Sequence, residues 1–137
     1  MTAYAPENLA AAWDNHFSAF GAQDVDKILL DYDDNSKITT WNLVTDEKEV
    51  YEGVEGARTL FEGLFKALPD LSDLGAPLIE LEECVPGMPL VDPQETTKTV
   101  FLIWRCPASG ILDAVDNFIF NDDLKIHRQT VAFRPSA

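Results

Sequence analysis

Asp116 is a single carboxylate in the middle of an otherwise apolar face of a strand segment near the C-terminus. Alternate residues of a strand share one face, so Asp116 points to the same side as Leu112, Ala114, Phe118 and Phe120. A carboxyl group in apolar surroundings must be hydrogen-bonded, protonated or used in chemistry, because an unpaired buried charge is costly. We therefore predict that Asp116 is an acid or base in an apolar pocket.

His16 is the second residue whose position suits proton transfer. On a helix that turns by about 100° per residue, it falls within the apolar stripe formed by Leu9, Trp13 and Phe20. The spacing therefore predicts that His16 faces inward. The opposite, polar side of the helix carries Asp14, Asn15 and Ser18.

If His16 and Asp116 face one pocket, they can act as an acid–base pair. In one arrangement His16 removes a proton while a protonated Asp116 stabilises the oxygen that gains charge; in the other the roles are reversed. Structural roles are also open at this point. His16 is then a core histidine with one hydrogen-bond partner, and Asp116 binds a backbone amide or an arginine. The arginines concerned are Arg105, Arg128 and Arg134.

Two helices are predicted in the first third of the chain, and they would position His16. The apolar spacing indicates a first helix that starts at Pro6 and Glu7 and is closed by Gly21. A second short helix, capped by Asp24, includes Tyr32. The polar run 33–36 then breaks the helical pattern.

The rest of the chain is predicted to be mostly strands. A hairpin with strands at 37–44 and 49–51 turns at 45–48, and a third helix lies between Gly53 and Pro69. Four further strands are predicted at 78–85, 97–106, 111–120 and 125–133. This order predicts one α+β domain over residues 1–137, with N-terminal helices packed on a strongly curved, mostly antiparallel sheet.

Composition disfavours several kinds of partner. The chain has 24 acidic and 10 basic residues, and its net charge of −14 repels nucleic acid and anionic membranes. No apolar stretch is long enough to cross a bilayer and no secretion signal is apparent, so we expect a cytoplasmic protein. Cys84 and Cys106 are expected to be reduced packing residues. The two histidines, His16 and His127, show no metal-ligand spacing and no cofactor motif occurs, so neither a metal nor a cofactor is expected.

The order of elements resembles that of the nuclear transport factor 2-like (NTF2-like) superfamily. The resemblance is carried by Gly53 and Gly56-Ala57-Arg58, which open the third helix, and by residues 114–118, which lead through an Asp-rich turn into Lys125-Ile126. It covers nearly the whole chain and is strongest to the small SnoaL-like proteins. The resemblance implies a cone of sheet around a long helix, a ligand cavity at its open end and a homodimer formed through the sheet.

Ketosteroid isomerase, from the same superfamily, offers three catalytic positions for comparison. Asp116 matches the aspartate on the fifth strand that donates a hydrogen bond to the developing oxyanion. His16 stands where that enzyme has a tyrosine on the first helix, so a donor is retained. Thr40, or Thr39 if the register differs by one residue, stands where it has the aspartate base. The resemblance thus implies the fold and an acid, but disfavours steroid isomerisation by that mechanism.

The same comparison suggests which residues surround a ligand. It places Gln129 on the final strand near Asp116, where Gln129 would orient a polar group of the ligand. Strand alternation predicts that Trp104 forms a wall of the cavity. The other predicted lining residues are Trp13, Phe20, Thr40, Phe61 and Phe118. An exposed Gln129, and aromatic residues that only fill the core, are the alternatives.

Three functions are therefore considered. The first is a cofactor-independent isomerase, cyclase or lyase that acts on a small, neutral, hydrophobic substrate through Asp116 and His16. The second is a module that binds a small ligand or assembles as a dimer, without chemistry. The third is a hydrolase similar to limonene epoxide hydrolase, in which an arginine bridges two acids. Its candidate residues are Arg105 or Arg128 with Asp113 or Asp116, although alternation places Arg105 on the face opposite Trp104.

Overall fold

The structure is a computed structural model, and it describes residues 3–84 and 97–136. The described chain forms three α-helices and one six-stranded sheet. The helices are α1 (Leu9–Ala22), α2 (Val25–Ile28) and α3 (Gly53–Ala67), and a 3-10 helix covers Leu29–Asp31. The strands are β1 (Tyr32–Asn42), β2 (Lys48–Glu52), β3 (Gly75–Cys84), β4 (Thr97–Cys106), β5 (Ile111–Phe120) and β6 (Ile126–Pro135).

The strands are arranged in the order β2-β1-β6-β5-β4-β3. Only β1 and β6 run parallel among the described strands, and every other neighbouring pair is antiparallel. The predicted α+β class and mostly antiparallel sheet are thus confirmed. The limits of β4 and β5 are those predicted, and the limits of the other strands differ from the predicted ones by one to five residues, the largest difference being at the start of β1. The predictions for Val85 and for the side chain of Cys84 lie outside the described residues.

The ends of α1 differ from those predicted. Asn8 caps its N-terminus, because the Asn8 side chain accepts a hydrogen bond from the amide of Ala11 at 2.9 Å. At the other end Gln23, not Gly21, takes the left-handed conformation, with φ of 53°. Its backbone amide bonds to carbonyl groups of the last turn, and its side-chain amide donates to the carbonyl oxygen of Leu68 at 2.8 Å. These contacts allow a residue with a side chain to occupy a position that glycine usually takes.

The second helix ends earlier than predicted, and residues 33–36 belong to a strand. Tyr32 is the first residue of β1, and the pairing of β1 with β6 shifts register between Tyr32 and Lys37. Within this irregular stretch the hydroxyl of Ser36 accepts a hydrogen bond from the amide of Asp33 at 2.9 Å. Polar residues that usually mark a turn therefore stabilise a bulged strand here, which sequence spacing alone does not reveal.

The prediction for Leu112 is also wrong. Its side chain is 42% exposed, whereas Ala114, Asp116 and Phe118 are buried as predicted. The register of β5 against β6 shifts between Ile111 and Asp113, and such a bulge reverses the alternation of side chains. Ile111 consequently takes the inward position that the pattern assigned to Leu112.

The core lies between the helices and the inner face of the sheet. From α3 it receives Ala57, Phe61 and Phe65, which recur at a spacing of four residues and are all buried. Leu68 follows the helix and is fully buried. Cys106, at the end of β4, is a buried free thiol. No helix in residues 3–84 and 97–136 has the length and apolar character needed to cross a bilayer.

Two glycines of α3 offer a matched test of its packing. A Cβ atom at Gly56 would lie 3.0 Å from the carbonyl carbon of Tyr51, whereas one at Gly63 would meet nothing within 4 Å. Gly56→Ala should lower the free energy of unfolding by about 1 kcal/mol or more through overpacking. Gly63→Ala should raise it by about 0.5–1 kcal/mol, because alanine favours the helical backbone. Urea unfolding measures both, and equal effects would contradict the close approach of Gly56 to β2.

Candidate functional site

A cavity of about 500 Å³ lies between α1, α3 and the inner face of the sheet. Every residue predicted for the site contributes to its lining. The polar ones are His16, Thr40, Asp116 and Gln129, and the aromatic ones are Trp13, Phe20, Phe61, Trp104 and Phe118. The structure therefore brings together residues that lie up to 116 positions apart, whereas their roles toward a ligand stay predictions.

Asp116 lies on the inner face of β5 and is only 5% exposed. Its two carboxyl oxygens accept hydrogen bonds from the indole nitrogen of Trp104 at 2.9 Å and from the side-chain amide of Gln129 at 3.1 Å. Burial raises the pKa of Asp116 from 3.8 to about 6, although both hydrogen bonds and the nearby His16 lower it. The carboxyl group can therefore gain or lose a proton near neutral pH.

Both the nitrogen and the oxygen of the Gln129 side-chain amide form hydrogen bonds. Its nitrogen donates to Asp116, and its oxygen accepts a hydrogen bond from the hydroxyl of Tyr32. All three side chains are buried. Burial, followed by the charges of Asp31 and Asp116, raises the pKa of Tyr32 well above its ordinary value, so the phenol remains a donor. The Gln129 amide thus orients Asp116 in addition to facing the cavity.

His16 lies on α1 and is 4% exposed. Its Nδ1 atom is 3.2 Å from Oδ2 of Asp31, a residue at the end of the 3-10 helix that is fully buried. Asp31 also accepts hydrogen bonds through Oδ1 from the side chains of Asn15 and Tyr4, each at 3.1 Å. Asn15 was assigned to the polar side of α1, but its amide points to Asp31 and to the carbonyl of Lys27.

Asp31 and Tyr32 are site residues that the sequence analysis missed. Both fall where the pattern was interpreted as a second helix, so neither was assigned to a strand end or to the pocket. The sequence nevertheless contains one indication that Asp31 is buried. Asp31 is a lone acid inside the apolar run Ile28-Leu29-Leu30-Asp31-Tyr32, and a lone acid among apolar residues is what drew attention to Asp116.

Aromatic rings fix the position of the His16 imidazole. The Trp13 ring stacks on it at a centroid distance of 5.3 Å and an interplanar angle of 23°. The Phe118 and Phe61 rings meet it edge to face at 5.0 and 6.1 Å. On the other side of the cavity Phe20 contacts Trp104 at 5.6 Å. Such contacts leave the imidazole little freedom to rotate.

The described lining of the cavity carries acidic but no basic side chains other than His16. Glu47 and Glu49, both exposed, belong to it and lie on the β1–β2 hairpin. No lysine or arginine of the described chain lines it. A ligand that carries negative charge would therefore be repelled by these glutamates, whereas a neutral apolar ligand would not.

The arginines considered as partners of Asp116 lie elsewhere. Arg105 and Arg128 are exposed, and the guanidinium of Arg128 donates to the carbonyl oxygens of Asn35 and His127. Arg134 pairs with Asp113 at 3.7 Å. The geometry that an epoxide hydrolase-like mechanism needs is therefore not built around Asp116 in the described residues. Nor do these residues contain a group of three or more His, Cys, Asp or Glu side chains that could hold a metal ion.

Comparison with known proteins supports the fold and leaves the function open. No protein-family model matches the sequence, and no curated protein is significantly similar to it. Among solved structures, a SnoaL-like protein of unknown function from Burkholderia thailandensis is 18% identical, with a TM-score of 0.58 over 93% of this chain and 98% of that one. An NTF-2 like protein of unknown function from Burkholderia xenovorans is 15% identical, with a TM-score of 0.57 over 94% and 84%.

An enzyme is also among the similar structures. A steroid delta-isomerase from Pseudomonas aeruginosa is 14% identical and gives a TM-score of 0.53 over 98% of this chain and 85% of that one. At identities this low the similarity concerns the fold alone.

The raised pKa of Asp116 predicts a pH-dependent contribution to stability. Between pH 3.8 and about 6 the folded state binds a proton that the unfolded state releases. The contribution is thus present at low pH and is lost as pH rises through this window. The shift of about two pKa units corresponds to a change on the order of 3 kcal/mol. Asn at this position cannot ionise. The free energy of unfolding of Asp116→Asn minus that of wild type should therefore increase by about this much as pH rises from about 4 to about 7.

Urea unfolding at several pH values measures this difference. The control is Asp113→Asn, the same substitution on the same strand but outside the cavity lining. A constant difference between Asp116→Asn and wild type across the window would show that Asp116 ionises as readily in the folded state as in the unfolded chain.

Proposed function

We propose that this chain, which has the NTF2-like fold, is a cofactor-independent isomerase, cyclase or lyase that moves protons on a small, neutral, largely apolar substrate. The observation that carries the proposal is the placement of His16 and Asp116 in the lining of one apolar cavity. Each is buried, and each is held by its own hydrogen bonds rather than by the other. Both therefore keep a functional atom available to a ligand between them.

The pair suits proton transfer because of the pKa of Asp116 and the chemistry of an imidazole ring. A pKa of about 6 lets Asp116 act as a general acid or as a general base with only a small loss in driving force. The two ring nitrogens of an imidazole can donate or accept a proton. Among the apolar walls of the cavity, a protonated Asp116 would also stabilise an oxygen that gains charge. Both assignments of acid and base are chemically consistent with this arrangement.

The walls support the substrate class. Aromatic and aliphatic side chains together supply most of the lining, which favours apolar molecules. The absence of lysine and arginine from the described lining, together with the presence of Glu47 and Glu49 in it, disfavours an anionic substrate. A volume of about 500 Å³ lies within the range of ordinary small-molecule sites.

A neutral probe tests the acid–base function without knowledge of the natural substrate. In 5-nitrobenzisoxazole a base removes the ring C–H proton, the C–H electron pair forms the nitrile, and the N–O bond breaks to release a coloured phenolate. Wild type should accelerate this ring opening with saturation kinetics. His16→Ala and Asp116→Asn should each lower kcat by at least about 10-fold, since a general base contributes about 10²–10⁴-fold.

The control for this experiment is Asp113→Asn, which should retain the wild-type rate because Asp113 lies outside the cavity lining. Saturable binding of the probe, seen as quenching of tryptophan fluorescence, with no acceleration in wild type would contradict the catalytic proposal. That result would leave the second function considered above, a small-ligand binding module.

We also propose that a second copy of this chain covers the outer face of the sheet. On that face lie four apolar side chains that are about 40% exposed, namely Trp41, Val50, Phe101 and Ile119. Lys37 and Arg128 lie toward the β1 and β6 side, and Glu80 lies on β3 at the far edge. A two-fold axis that lies between the two stacked sheets and runs parallel to their strands would bring the basic side of one copy against the acidic edge of the other, as the self-complementary surface of an isologous dimer requires.

Sedimentation equilibrium tests this dimer. Ile119→Lys should weaken association by about 10-fold or more, because it buries a charge in the apolar centre of the face. Leu30→Lys is the control, since Leu30 is as exposed as Ile119 but lies outside the sheet. A wild-type chain that remains monomeric at high micromolar concentration would contradict the proposal.

A further inference from the structure

We infer that Asp31 is a positioning residue that keeps a proton on Nδ1 of His16 and leaves Nε2 as the proton-accepting atom in the cavity. The role of Nε2 as a base rests on the acid–base function proposed above. This role deepens that function, because it makes His16 the base and Asp116 the acid. The hydrogen bonds around Asp31, the packing of the imidazole, and the edge of the ring that these leave toward the cavity support it.

Asp31 is surrounded by donors. It is 0% exposed, and its Oδ1 atom accepts from the hydroxyl of Tyr4 and from the side-chain amide of Asn15. Its Oδ2 atom faces Nδ1 of His16 at 3.2 Å. A carboxylate in this setting only accepts, so a proton on Nδ1 satisfies the pair, whereas an unprotonated Nδ1 would place two acceptors against each other.

The N-terminal segment completes this arrangement. Tyr4 lies over Asp31 from outside, and the ammonium group of Lys125 sits 5.2 Å from the centre of its ring. Burial, and next the charge of Asp31, raises the pKa of Tyr4, so its hydroxyl remains a donor. The side of Asp31 that faces away from His16 is thereby occupied.

The imidazole is also fixed in orientation. Trp13 stacks on its face and Phe118 meets it edge to face, while Nδ1 binds Asp31. Because His16 also lines the cavity, the edge that carries Nε2 is the one left for a ligand. A neutral imidazole with its proton on Nδ1 offers a lone pair on Nε2.

This assignment gives a balanced sequence of transfers. Nε2 of His16 takes a proton from a substrate carbon next to a carbonyl group. The C–H electron pair forms a carbon–carbon double bond, and the π electron pair of the carbonyl group moves to its oxygen. Asp116, protonated, gives its proton to that oxygen. The enol returns its O–H proton to the Asp116 carboxylate, and the imidazolium returns its proton to carbon. In a substrate with a conjugated double bond, delivery of this proton to the far end of the conjugated system gives an isomerisation.

Asp31→Asn should reverse the tautomer of His16. An asparagine presents one oxygen and one NH₂ group where Asp31 presents two oxygens. If the new NH₂ group took the position of Asp31 Oδ1, it would face the NH₂ donor of Asn15. It should therefore take the position of Oδ2 and face Nδ1 of His16. Nδ1 must then accept, and the proton moves to Nε2. The nitrogen in the cavity becomes a donor and can no longer act as a base.

Two-bond ¹H–¹⁵N correlation spectra report this tautomer directly, and the chain has only two histidines. His127→Gln identifies the signals of His16. In wild type at neutral pH we expect the pattern of a ring protonated on Nδ1, and in Asp31→Asn that of a ring protonated on Nε2. A wild-type ring protonated on Nε2 would overturn the inference, even if Asp31→Asn fails to fold.

The matched control is Asp33→Asn, the same substitution two residues further along, which should leave the tautomer of His16 unchanged. With 5-nitrobenzisoxazole, Asp31→Asn should lower kcat by at least about 10-fold with little change in KM. The expected tautomers without any turnover in wild type would contradict only the proposed function. Turnover in wild type with an unchanged tautomer in Asp31→Asn would contradict only the role of Asp31.

Discussion

Two carboxyl groups buried beside one apolar chamber impose the strictest requirement on this structure. A buried acid without donors costs several kcal/mol, more than most single packing contacts supply. Asp31 and Asp116 each receive their donors from other elements. The donors to Asp31 come from the N-terminal segment and α1, and those to Asp116 come from β4 and β6. Helix, sheet and N-terminus must therefore all be in place before either carboxyl group is satisfied.

The Asp116 group shows how the balance of these effects prepares a site for chemistry. Two donors lower its pKa, yet burial outweighs them and the value rises to about 6. The indole of Trp104 and the amide of Gln129 are both neutral, so they orient the carboxyl group without the full compensation that a cation would give. An arginine in either place would hold the group ionised, and its ability to give a proton near neutral pH would be lost.

The chamber itself exists because the helices leave space above the sheet. Gly21 on α1 and Gly63 on α3 both belong to its lining, and a Cβ atom at either position would meet nothing within 4 Å. Both glycines stand where alanine would favour the helix by about 1 kcal/mol. Open volume at this place is thus maintained at a cost in stability.

The α+β class, the antiparallel β3–β6 region and the inward position of Asp116 and His16 could be predicted from the sequence, because they follow from the local spacing of apolar residues. The outward side chain of Leu112, the strand that begins at Tyr32 and the contact between Asp31 and His16 depend on tertiary packing. A strand bulge shifts the alternation of inward and outward side chains by one residue, and the spacing of apolar residues in the sequence does not show where a bulge occurs. The partners of buried polar groups come from elements distant in sequence, as when Tyr32 binds Gln129 across 97 residues. Spacing identifies a side chain that points inward, but its partner depends on how the elements pack.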